Sequence, residues 1–131
     1  MLPIAQKFFV ASLIYFALGL LAQAITIFDV WLGFNPLAYT AITTTGQIFL
    51  VGWLSQVALA LVYDRWLPAT KVGTVVFVLF NVGLPLALVG QPGVAVWGED
   101  WIGLVAGLGA LLQLTAGVTF IWDVWNGLRA K

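Results

Sequence analysis

The side chains best able to do chemistry here are amides set inside long apolar runs: Gln23, Gln47, Gln56, Asn81 and Gln113. An amide carries donors and an acceptor, and leaving them unpaired in an apolar medium is costly. Each is therefore expected to face another helix or a bound group. For Gln23, Gln56 and Gln113 the expected role is hydrogen bonding between helices, worth about 0.6 kcal/mol on average in membranes. Gln56, Asn81 and Gln113 all fall near the middle of their runs, so they can meet as one polar knot.

Other chemistry is excluded by what is missing. The chain has no histidine and no cysteine. That removes the commonest general base and the usual metal and haem ligands. Acidic and basic residues gather near the ends of the apolar runs, so no proton relay or ion site is expected at membrane depth. No phosphate-binding loop, nucleophile constellation or carboxylate pair is present. The expectation is a protein with no catalytic residues and no metal site, and not an enzyme.

The elements that must position these residues are set by composition. Of 131 residues, 63% are hydrophobic and 8% charged. A soluble domain carries about 25% charged residues, whereas a lipid-facing surface needs almost none. The fold class expected is all-α: one domain, 1–131, a bundle of four transmembrane helices at about 8–28, 43–63, 71–89 and 101–122. The first run is too long for the apolar region of a signal peptide, so it is expected to be retained. Gly33, Asn35 and Pro36 read as a turn, and Gln91-Pro92-Gly93 as a type II turn closing the third helix. Pro85 lies four residues after Asn81 and frees its carbonyl.

In the fourth helix Gly103, Gly107 and Ala110 share one face, with Gly117 further along. Small residues let backbones approach, so this face is expected to pack against another helix. Lys7, Arg65, Lys71, Arg129 and Lys131 all fall on one side of the membrane, and the positive-inside rule makes that side cytoplasmic, with both termini there. Net charge is zero, which gives no basic patch for nucleic acid.

Residues 46–68, GQIFLVGWLSQVALALVYDRWLP, resemble the second-helix region of short four-helix relatives of haem-copper oxidase subunit I. Phe8-Phe9-Val10-Ala11-Ser12-Leu13-Ile14-Tyr15 is similar to the opening of that group's first helix. Leu50-Val51-Gly52-Trp53, Tyr63 and Leu67-Pro68 match its second helix, and Phe80-Asn81-Val82-Gly83 its third. The group usually has a histidine six residues before the tryptophan, where this chain has Gln47. The resemblance implies a four-helix module docked beside a larger complex, with the haem ligand lost.

Three functions are compatible with these features. The first is a non-catalytic accessory or structural subunit of a respiratory or photosynthetic electron-transfer complex in a prokaryotic inner membrane. The second is a module holding a haem, quinone or pigment through Gln47, Trp53 and Asn81. The third is a small oligomeric transporter or channel, for which Asn81 and Pro85 speak and the lack of buried charge does not. No intrinsic cofactor is expected; a haem, quinone or pigment would be shared with a partner. The partners expected are the lipid bilayer and other membrane subunits or copies of the chain.

Overall fold

In hydrocarbon a backbone must satisfy its own polar groups, and an apolar run of about twenty residues does so as a helix. A computed structural model describes residues 1–32, 38–67, 70–98 and 100–129, which are helical almost throughout. Helix α1 is Pro3–Leu32, α2 is Ala38–Gln47, α3 is Ser55–Arg65, α4 is Lys71–Trp97 and α5 is Asp100–Arg129. A π-helical segment, Ile48–Leu54, joins α2 to α3. Four stretches are long and apolar enough to cross a membrane: Pro3–Phe28, Thr43–Arg65, Lys71–Val94 and Asp100–Arg129. The chain is an all-helical integral membrane protein. The turn expected at Gly33, Asn35 and Pro36 lies outside the described residues, as do Pro68, Glu99 and Lys131.

The helices outrun their apolar cores. α1 has 30 residues, about 45 Å at 1.5 Å each, against a hydrocarbon thickness of about 30 Å. The largest departure from expectation is at Gln91-Pro92-Gly93, which is not a turn. α4 runs through Pro85 and Pro92 to Trp97 and stops at Gly98, whose φ of 64° is the left-handed conformation that ends helices. Membrane helices tolerate proline where neighbouring groups satisfy the freed backbone.

Two glycine-based contacts hold the bundle. Between α1 and the π segment the fit is reciprocal. Phe49 lies where a side chain on Gly19 would stand, 2.9 Å from the Cβ position, and Tyr15 occupies the corresponding space at Gly52, 2.8 Å away. Between α4 and α5 the backbones themselves touch. A Cβ on Gly109 would lie 2.5 Å from the amide nitrogen of Ala87, and one on Gly90 2.6 Å from Cβ of Ala106. Gly83 meets the carbonyl oxygen of Gly109 in the same way, at 2.8 Å. This is the small-residue packing by which membrane helices approach closely. An aromatic core fills the other end: Phe8 stacks on Tyr63 at 5.5 Å and meets Phe77 edge-on at 5.1 Å, and Tyr63 contacts Phe120 at 5.8 Å.

Candidate functional site

The polar centre of the bundle is a closed amide pair. Gln56 Nε2 on α3 donates to Asn81 Oδ1 on α4 at 3.0 Å, and Asn81 Nδ2 donates back to Gln56 Oε1 at 3.3 Å. Asn81 Nδ2 also donates to the Phe77 carbonyl at 2.9 Å. Gln56 is wholly buried. Each amide therefore satisfies the other without water, which hydrocarbon would not supply. Gln113 does not join them. It is half-buried, and its backbone nitrogen, not its amide, lies against Gly83. Gln23 is exposed and lines a shallow groove with Thr26, Thr45 and Phe49.

The three candidate cofactor contacts are placed apart. Asn81 faces Gln56. Trp53, on the π segment, faces α1, with its ring 4.9 Å from Phe16 and 6.3 Å from Phe49. Gln47, half-buried, is the last residue of α2, at the junction where the π segment begins. The junction itself carries a feature that residue spacing does not reveal. Seven residues, Ile48–Leu54, take i→i−5 hydrogen bonding. The amide and the hydroxyl of Ser55 both bond the Leu50 carbonyl, the hydroxyl at 2.8 Å. Such segments are uncommon and recur at functional sites.

The small-residue face of α5 points away from the bundle. Gly103, Gly107 and Ala110 are exposed, and among the described residues a Cβ on Gly107 would meet nothing within 4 Å, whereas Gly117 is half-buried and lines the cleft between α3 and α5. The residues of α5 that pack against α4 are instead Ala106 and Gly109. Gly103, Gly107 and Ala110 form the floor of an outward groove flanked by Leu104, Leu108 and Leu111.

One end of the molecule carries the ordered polar contacts. Asp64 Oδ1 accepts from the Leu2 amide at 2.8 Å and lies 3.7 Å from the amino group of Met1. A carboxylate at the start of α1 offsets the positive end of that helix. Thr70 caps α4 by accepting from the Gly73 amide at 3.4 Å, and its hydroxyl donates to Asp123 Oδ2 at 3.4 Å. Arg129 lies over the Trp125 ring at 4.8 Å. Among the described residues no group of three or more His, Cys, Asp or Glu side chains could hold a metal ion.

Comparison with protein-family models, curated proteins and solved structures gives no match.

Proposed function

We propose that this chain is a non-catalytic accessory subunit of a membrane electron-transfer complex, attached to its partner through α5. The observation that carries this reading is a contrast. The mid-membrane amides Gln56 and Asn81 close on each other, whereas the small-residue face of α5 is turned outward and open. A transport path or cofactor pocket needs polar groups left available at depth; a scaffold needs a surface where another backbone can come close. The electron-transfer part of the reading rests on the resemblance of residues 46–68 to oxidase subunit I relatives. On this reading both termini lie in the cytoplasm, which the segregation of the basic residues to one side supports, and the membrane is a prokaryotic inner membrane.

A cofactor module is the second reading. It is favoured by the π segment that separates Gln47 from Ser55 and carries Trp53. A reduced-minus-oxidised difference spectrum of the isolated chain separates the two. Haem iron is held by His, Cys, Met or Tyr in the common cases, and the only methionine is Met1. The expected result is no haem signal. A stoichiometric b-type spectrum would replace the accessory reading with the cofactor module.

A further inference from the structure

Of the five amides set inside the apolar runs, Gln47, Gln56, Asn81 and Gln113 are at least partly buried, and Gln23 alone is exposed. Gln23 stands on α1, five residues inside the end of the span Pro3–Phe28. That is about 8 Å at 1.5 Å per residue. Side chains on a helix lean toward its N-terminus. For Gln23 that direction runs deeper into the hydrocarbon, away from the nearer membrane surface. Its amide forms no hydrogen bond among the described residues. An unpaired amide in an apolar medium is costly, and lipid tails cannot satisfy it. The missing partner must come from outside the chain.

The surroundings leave room for one. Gln23 forms part of the wall of a groove of about 280 Å³, with Thr26 and Ile27 of α1, Thr45 and Gly46 of α2 and Phe49 of the π segment. Among the described residues nothing lies within 4 Å of a Cβ position on Gly46, so the groove has a notch beside the amide. α1 packs on α2, the π segment and α3, whereas α5 packs chiefly on α4. The groove therefore lies on a different flank from the open face of α5, and what it binds is independent of that face.

Symmetry selects the occupant. Two copies inserted in the same orientation associate about a two-fold axis along the membrane normal. That axis brings each residue of one copy to the depth of the same residue in the other. Gln23 then meets an amide at its own level, with donors and an acceptor on each side, as Gln56 and Asn81 meet within the chain. A different partner would need its own polar side chain placed at that depth; a second copy already has one. We infer that the chain forms a two-fold homodimer through α1, in which the two Gln23 amides bond each other over the notches at Gly46.

The absence of native cysteine makes single engineered thiols unambiguous. Ile27 lines the same groove one turn from Gln23, whereas Ile25, also exposed, lies about 200° around the helix from Gln23. Ile27→Cys and Ile25→Cys are reconstituted singly in lipid vesicles at falling protein-to-lipid ratio and oxidised with copper–phenanthroline. Ile27→Cys is expected to give a disulfide-linked dimer that persists on dilution, and Ile25→Cys only the dilution-sensitive link of random collision. Gln23→Leu added to Ile27→Cys is expected to lower dimer formation roughly tenfold, and Gln23→Asn, which keeps an amide, to stay within about threefold of the parent. Gln23 makes no bond within the described chain, so Gln23→Leu is expected to insert and fold; its thermal unfolding in detergent, matched to the parent, checks this. Equal linking at Ile27→Cys and Ile25→Cys, or parent-like linking with Gln23→Leu, would overturn the dimer. No link at Ile27→Cys would overturn it too, and would leave a lipid carbonyl or another subunit as the cover for the amide.

Discussion

At the scale of single residues, the amide pair is the feature with the most to lose. Gln56 and Asn81 bond each other through both ends of each amide, so removing one partner leaves the other buried and unsatisfied. Gln56→Leu or Asn81→Leu alone is expected to destabilise by about 1–3 kcal/mol. The double variant should cost less than the sum of the two, with a coupling near 0.6 kcal/mol and at most about 1.7 kcal/mol. Unfolding titrations of the four proteins in mixed micelles measure this, and strict additivity would show that the pair is not formed in the membrane. The pairing of Gln56 with Asn81 was half legible in the sequence. Polar residues at matching depth on neighbouring apolar runs must find partners, which foretells a knot. Which of three amides enter it depends on helix rotation, and rotation turned Gln113 away.

At the scale of elements, glycine position decides which faces touch. Gly107 and Gly109 are two residues apart, about 200° around a helix, and only Gly109 meets α4. Gly109→Ala is expected to force α4 and α5 apart and destabilise by about 1–3 kcal/mol. Gly107→Ala should change stability by no more than about 0.5 kcal/mol. Thermal unfolding in detergent compares them, and equal losses would contradict this arrangement of α5. The stripes Gly103–Gly107–Ala110 and Ala106–Gly109 are both good small-residue spacings. Sequence spacing tells that each is a face and not which one a neighbour covers. The π segment was hidden for a different reason. Its i→i−5 bonding changes the register of the helix without requiring an unusual residue, and Ile48–Leu54 reads as ordinary apolar helix. The end of α4 is not legible in the sequence because Pro92 and Gly93 are turn residues in water, whereas here the helix continues past them to Gly98, as proline is tolerated in membrane helices.

At the scale of the whole molecule, four apolar stretches and few charges were enough to give the membrane architecture, and charge placement is the ground for the proposed orientation. Reporter fusions after Gly98 and at Ala130 are expected to score outside and inside respectively. Gly98 is preferred to Gly93 because Gly93 is buried within α4. The opposite scores would reverse the topology and place the Asp64 and Asp123 contacts on the outer side.

The central claim is that the open face of α5 binds a partner. The measurement is affinity purification of the tagged chain from its native membrane in mild detergent, with and without Gly107→Leu. Among the described residues nothing lies within 4 Å of the Cβ position there, so the variant is expected to leave the bundle folded and to obstruct what comes from outside. The parent is expected to bring down redox-active membrane subunits in fixed stoichiometry, and Gly107→Leu to lose them while still eluting as a folded protein. The same partners recovered equally with both, or no stoichiometric partner with the parent, would contradict the account.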